Sequence, residues 1–337
     1  MTHAGWHAPG QPPALGVVIP CWRQERWLPR TVAAIESGLE GREWRGVLVR
    51  SGPSEAPLPP LSSRWQVIAP PVPGPLTPGA ARMLGFSACG GEWVLFPDAD
   101  VEIERAWLDA ALERAARPGR LAGVWGRIEE WFEDQGEVRA GSPDLYKVGR
   151  EERAVPYLAT LALYRREALL EAGGYDPRLS SEEDFELGLR LQALGWEMCS
   201  LGLLAAKHWS APRPSLGELG RRWATGLCFG QGQVLRIYLG RPGFAALLRR
   251  QALNLATLLM WVAGLAALAV SIGAGRADAL LAWLTLPVLV LLVMTVRKKS
   301  PRLGLHALLS WTLNGLGLLV GLLAGPRGER TPREAGC

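Results

Sequence analysis

The sequence predicts an α/β fold, a mostly parallel sheet with flanking helices, followed by three transmembrane α-helices. Strand-like and helix-like apolar patterns alternate through the first two-thirds of the chain. After about position 250 long uncharged stretches dominate, and almost every acidic residue lies before that point. Each of the three uncharged runs, Ala252 to Ile272, Ala279 to Val296 and Leu303 to Ala324, has roughly the 17 to 25 residues that cross a bilayer.

The elements follow in order. Leu15 to Ile19 reads as a strand stopped by Pro20, and a helical period runs from about Arg26 to Leu39. A second strand fits Gly46 to Val49. Pro53 to Pro78 carries nine prolines and reads as a surface loop around a short strand, Trp65 to Ile68. A helix over 79–88 leads through Gly90-Gly91 into the apolar strand Trp93 to Phe96, which stops at Pro97 and delivers Asp98-Ala99-Asp100. A helix from Ala106 to Ala116 follows. From Leu161 the pattern is strand, helix over Arg166 to Ala172, a Gly173-Gly174 turn, and a helix from about Glu182 to Leu194 with Ser180 or Ser181 as its expected cap. In such a fold ligands bind outside the carboxyl ends of the strands, where the two aspartates lie.

The expected organisation is a disordered tail over 1–14, a soluble domain over 15–213, an interfacial amphipathic segment over 214–251, a membrane domain over 252–324 and a tail over 325–337. The amino-terminal tail has no apolar core and is no signal peptide. Net charge is +5 and the pI near 9.1, yet Lys and Arg form no basic stripe with interleaved aromatics, so nucleic acid is not an expected partner. The basic clusters flank the apolar runs: Arg241, Arg249 and Arg250 before the first, and Arg297, Lys298, Lys299 and Arg302 between the second and third. By the positive-inside rule both loops are cytoplasmic, which places the soluble domain in the cytoplasm of a multi-pass cell-membrane protein and the carboxyl terminus outside. The five cysteines, Cys21, Cys89, Cys199, Cys228 and Cys337, are scattered without a C-x-x-C pair, and a reducing compartment is expected.

Asp98 and Asp100, one residue apart at a strand end, suit Mg²⁺ or Mn²⁺, which prefers hard oxygen ligands and holds substrate phosphates with one or two carboxylates. Read alone, the pair is also compatible with solvated turn aspartates. Glu182-Glu183-Asp184 opens a helix, where acids either serve as a base or simply complement the helix dipole. Fifteen tryptophans assign no sugar platform by their number.

Four stretches in fixed order, Val17-Val18-Ile19-Pro20, Gly79-Ala80-Ala81-Arg82, Glu92 to Asp100, and Ala159 through Gly195, resemble glycosyltransferase family 2, inverting enzymes of GT-A fold. The resemblance implies a metal-dependent hexosyltransferase domain that takes a nucleotide-sugar donor. It makes Asp98 and Asp100 the metal and diphosphate motif and Asp184 the general base, with Pro20, Arg82, Asp98 and Glu183 on the donor side. His208 joins the metal candidates because some members place a histidine near there, although a lone histidine is more often structural. Arg221-Arg222-Trp223 resembles the Arg-Trp end of the Q-x-x-R-W signature of processive synthases, with Leu219 at the glutamine position; the three residues are candidates for holding a diphosphate or an anionic lipid head group. The trailing helices are similar to those of members that act on a lipid-linked or cell-envelope glycan acceptor. The chain departs from the family at Arg50-Ser51, where aspartates usually contact the nucleoside, at Arg23-Gln24-Glu25, and at Met83. These departures motivate the competing reading, a non-catalytic membrane scaffold.

Overall fold

Alternation along the first strand sets the architecture. In the computed structural model, which describes residues 15–211 and 216–328, Val17 and Ile19 point into one core and Val18 into a second on the opposite face of the sheet. The expected tail over 1–14 and most of that over 325–337 lie outside the described residues. The chain divides into two compact units, one comprising the chain to Arg178 and Glu183–Pro212, the other Leu179–Glu182 and Arg213–Gly328.

The first unit runs β1 (Leu15–Cys21), α1 (Leu28–Gly38), β2 (Trp44–Arg50), β3 (Trp65–Ile68), α2 (Pro78–Ala88), β4 (Trp93–Pro97), β5 (Val101–Ile103) and α3 (Arg105–Ala115). It continues with β6 (Leu121–Asp134), β7 (Glu137–Ala140), β8 (Arg153–Ala154), β9 (Leu161–Arg165), α4 (Arg166–Ala172), α5 (Glu183–Ala193) and β10 (Glu197–Ser210). The sheet order is β3-β2-β1-β4-β9-β6-β10-β5, with β7 on β6 and β8 on β10. Strands β1 to β4 pair in parallel, as do β6 and β10, and β9 runs antiparallel to both β4 and β6. The sheet is thus mostly parallel along its main path but mixed. The strand order reverses at β1, which sends one connection to β2 and has β4 on its other side, and this opens a crevice at the carboxyl ends of β1 and β4.

One face is packed by α1 and α3 through Leu28, Ile35, Trp107 and Leu108; the other holds Phe86, Phe96, Tyr164, Tyr175 and Leu187. Full burial of each such side chain stabilises by about 1.5–3 kcal/mol. Cys21, Cys89, Cys199 and Cys228 are buried free thiols.

Two local expectations are corrected. Helix α5 begins at Glu183, because Glu182 has a left-handed φ of 66°, and neither serine caps it. Ser181 Oγ donates to Leu227 O at 2.9 Å, and Ser180 Oγ is buried without a partner among the described residues. Strand β10 carries irregular register through Ser200 to Ala206 and then resumes regular pairing with β6, so His208 and Trp209 are strand residues.

The second unit contains α6 (Leu216–Ala224), α7 (Gly230–Ile237), α8 (Phe244–Arg250), α9 (Ala252–Ala274), α10 (Asp278–Lys298) and α11 (Pro301–Ala324). The last three are long and apolar enough to cross a membrane, with mean hydropathies of 2.2, 2.5 and 1.7. Trp283 Nε1 donates to Met260 O at 2.8 Å, and Trp261 Nε1 to Thr312 Oγ1 at 2.9 Å, tying the three helices together. Leu179–Glu182 belongs to this unit. Ser180 N donates to Gln233 Oε1 at 2.9 Å, and Arg250 pairs with Glu182 at 3.0 Å.

Close approach fixes α5 on the sheet side. A Cβ at Gly188 would lie 2.3 Å from Pro156 O and 2.8 Å from Tyr157 Cβ, so α5 sits against the 156–157 backbone only as glycine. Gly188→Ala is expected to destabilise the protein by about 1–3 kcal/mol through overpacking. Thermal unfolding in detergent measures it, and an unchanged midpoint would mean that α5 has room to move.

Candidate active site

The end of β4 is built so that its carboxylates have nowhere to go but the crevice. Asp98 N donates to Thr160 O at 2.8 Å, Thr31 Oγ1 donates to Ala99 O at 3.0 Å, and Trp209 N donates to Asp100 O at 2.8 Å. Helix α2 is aimed by its own start: Thr77 Oγ1 accepts from Ala80 N at 3.1 Å and donates to Pro177 O at 2.7 Å, with Pro78 at the first helical position. That places Arg82, one turn in, beneath the crevice.

Arg82 gathers the acids. Its side chain is 6% exposed and bonds Asp98 Oδ1 at 2.8 Å through Nη2 and Glu183 Oε1 at 2.5 Å through Nη1, with Asp184 Oδ1 at 3.7 Å. Its guanidinium lies 5.3 Å from the Tyr175 ring centroid. Burial acts to lower its pKa, but the carboxylates of Asp184, Asp98 and Glu183 more than offset this and hold it charged. Burial likewise pushes Asp98 up to about 6, with Asp100 adding to the push while Arg82 and His208 pull it down.

Asp100 looks the other way. Its Oδ2 accepts from Gln24 Nε2 at 2.7 Å and lies 3.5 Å from His208 Nε2, while its buried Oδ1 has no partner among the described residues. A buried, unspent carboxylate oxygen is costly in itself and fits a hard divalent cation. Among the described residues no group of three or more His, Cys, Asp or Glu side chains is arranged to hold a metal ion. Asp98 and Asp100 remain close enough to influence each other electrostatically, and Asp98 also feels His208.

A family profile described as Glycosyl transferase family 2 matches residues 16–172. An uncharacterised glycosyltransferase of Mycobacterium bovis is 30% identical over 196 residues, covering 56% of this chain and 83% of the relative. The chain belongs to glycosyltransferase family 2. A pre-mycofactocin glycosyltransferase of Mycobacterium tuberculosis is 33% identical over 129 residues, covering 35% of this chain and only 27% of that relative's length. A mannosyltransferase from Pyrobaculum calidifontis, solved in complex with GDP-Man and Mn²⁺, has the same fold, with a TM-score of 0.60 at 17% identity over 94% of this chain and 88% of that one.

Within this family 2 member the structure brings Arg82, Asp98, Glu183 and Asp184 into one ion cluster and sets Asp100 beside His208. Pro20 pairs in register with Val49 near the end of β1, half-buried and without a polar role. Arg221, Arg222 and Trp223 lie in the second unit on α6, where Arg221 pairs with Glu218 of its own helix at 2.6 Å and Trp223 meets Phe229 edge-on. Arg50 donates twice, to Ser54 O and Ala56 O at 2.7 Å each, and so braces the proline-rich loop. Gln24, Thr160 and Tyr146 were not expected at the site. Gln24 was detectable, since it follows the carboxyl end of β1, where this fold class binds ligands. The other two reach Asp98 only through tertiary contacts.

The raised Asp98 pKa has a testable sign. The folded state holds that proton more tightly than the unfolded chain, so the carboxylate's stability cost is absent below about pH 3.8, develops as pH rises and is complete above about 6. In metal-free protein Asp98→Asn is therefore expected to gain stability, by about 1–2 kcal/mol more at pH 7.5 than at pH 4.5. Thermal midpoints in chelator at the two pH values measure it; a larger gain at pH 4.5 would contradict the assignment.

Proposed function

We propose that the protein is an inverting, metal-dependent hexosyltransferase that moves a sugar from a nucleotide-sugar donor to a hydroxyl or phosphate of a lipid-linked or cell-envelope polysaccharide acceptor. The observation that carries this reading is the Arg82 cluster, which joins the strand-end aspartate Asp98 to the helix-start acids Glu183 and Asp184. An in-line displacement needs a leaving-group site and a base held at fixed separation, and Arg82 bridges both.

In this mechanism Asp184 is the general base. Its side chain is 20% exposed, open to an acceptor, and lies 3.7 Å from the Arg82 guanidinium. It takes the proton from the acceptor hydroxyl as that oxygen bonds to the anomeric carbon. The bond from that carbon to the diphosphate oxygen breaks on the opposite face, and the configuration inverts. Asp98, Asp100 and His208 are the residues that would hold Mn²⁺ or Mg²⁺, which when bound supplies Lewis-acid stabilisation of the departing diphosphate. Glu183, buried against Arg82, fixes the helix start rather than meeting substrate.

The non-catalytic scaffold gains nothing from this arrangement. Burying one guanidinium among carboxylates costs several kcal/mol in desolvation that a binding-only descendant has no reason to retain. The three apolar helices support a membrane acceptor, and the basic residues around them support a cytoplasmic catalytic unit in the cell membrane. A reporter fused at the carboxyl terminus is expected to read outside; a cytoplasmic signal would reverse that topology.

The decisive experiment is a nucleotide-sugar panel on the detergent-purified protein with Mn²⁺, Mg²⁺ or chelator. GDP-linked sugars go first, because the mannosyltransferase of the same fold was solved with GDP-Man. Metal-dependent binding of one donor is expected, lost in Asp100→Ala, while Asp184→Asn binds donor normally and loses turnover by about 10²-fold or more. No donor binding across the panel by folded protein, or full turnover in Asp184→Asn, would sink the reading.

A further inference from the structure

A row of aromatic rings links the two ends of the proposed reaction. Tyr146 lies 5.0 Å from Trp125 between ring centroids, Trp125 lies 6.0 Å from Tyr157, and Tyr157 meets Phe185 edge-on at 5.4 Å. Phe185 follows Asp184 directly in α5. At the other end the Tyr146 hydroxyl is hydrogen-bonded to Thr160 Oγ1, and Thr160 O holds the backbone N–H of Asp98. The row therefore starts beside the leaving-group aspartate and finishes beside the base. Tyr146, Tyr157 and Phe185 are half-buried, whereas Trp125 is 2% exposed and backs them.

Two features of the row are costly unless something uses them. Thr160 sits at φ 64° with Leu161 N bonded to Ala159 O, the rare γ-turn form, and a β-branched residue in that region is strained by about 1–3 kcal/mol. The turn's yield is local: it sends the Thr160 carbonyl to Asp98 and its hydroxyl to Tyr146. Trp125 Nε1, at the centre of the row, is a buried donor with no partner among the described residues. Burial, reinforced by Asp98 and Asp184 against the Thr160 hydrogen bond, raises Tyr146, whose hydroxyl keeps its proton and remains a donor.

We infer that this row is the platform for the donor's hexose ring and that Tyr146 is a specificity-determining residue, reading one ring hydroxyl while Tyr157 and Phe185 cover an apolar face. The inference rests on the glycosyl-transfer reading above. In-line attack places the sugar between the diphosphate and the base, and the aromatic row spans that interval. Sugars present one polar edge and one face of C–H bonds, which suits a ring wall with a hydroxyl at its end. A site that hydrogen-bonds a particular hydroxyl discriminates strongly against the epimer lacking it in that position.

The test separates sugar from nucleotide. With Mn²⁺ present, binding of the bare nucleoside diphosphate and kcat/KM for gluco-, galacto- and manno-configured donors of that nucleotide are measured for wild type, Tyr146→Phe and Tyr157→Leu. Nucleoside diphosphate affinity is expected to stay within about threefold in both variants, because Tyr146→Phe removes only a hydroxyl and keeps the ring near Asp98, while Tyr157 lies toward the base end of the row. For the preferred donor kcat/KM is expected to fall by roughly 10- to 100-fold, and in Tyr146→Phe the preference among epimers is expected to narrow by a similar factor. Unchanged epimer preference in Tyr146→Phe, with its thermal midpoint intact, would overturn the role of Tyr146. Should that variant fail to fold, Tyr157→Leu with wild-type kcat/KM for the preferred donor would overturn the platform. Wild-type protein that binds no nucleoside diphosphate would instead remove the underlying reading, a result distinct from either variant outcome.

Discussion

A guanidinium buried among three carboxylates is the constraint around which the catalytic unit is arranged. Arg82 arrives from α2, Asp98 from the end of β4, and Glu183 and Asp184 from the start of α5. Removing Arg82 would leave carboxylates stranded in a poorly solvated place, so the three elements are held to positions that keep them around it. The supporting devices serve this: the Thr77 cap that aims α2, the Thr31 and Thr160 contacts that fix the strand end, and Gly188, which lets α5 approach. Burial, with Asp100 adding to it, leaves Asp98 reluctant to ionise even beside Arg82.

Topology explains why these pieces meet. The reversal of strand order at β1 opens the crevice, and the antiparallel β9 joins two parallel halves so that Thr160, just before it, reaches across to β4. Strand β10 then returns alongside β6 and delivers His208 to Asp100 from the far side. Four separate stretches of chain thus converge on one strand end, which spreads recognition over side chains far apart in sequence.

Much of this was legible beforehand, and the limits have physical causes. An apolar strand ending in two aspartates carries its own signal, because four buried residues in a row demand a sheet and the acids beyond them demand solvent or a cation. The same holds for the acidic start of α5 and for the uncharged helices. Three kinds of feature escaped. Strand β6 mixes core residues with Arg127, Glu129 and Glu130, and β10 is broken by irregular register, so neither shows a clean period. The Ser180 and Ser181 caps looked correct locally but lost to partners far along the chain, Gln233 and Leu227. The Tyr146–Thr160 contact depends on a backbone conformation that threonine rarely adopts, and no local pattern announces it.

The short strap Leu179–Glu182 has a practical corollary. Its partners, Gln233, Leu227 and Arg250, all come from beyond Pro212, yet its last residue is the one that precedes α5. A chain cut at the end of β10 would keep every acidic side chain of the site and still lose the tether at the root of the helix that bears Asp184. Fragments cut there are therefore poor surrogates for the whole chain, because the residue that leads into α5 loses the partners that hold it.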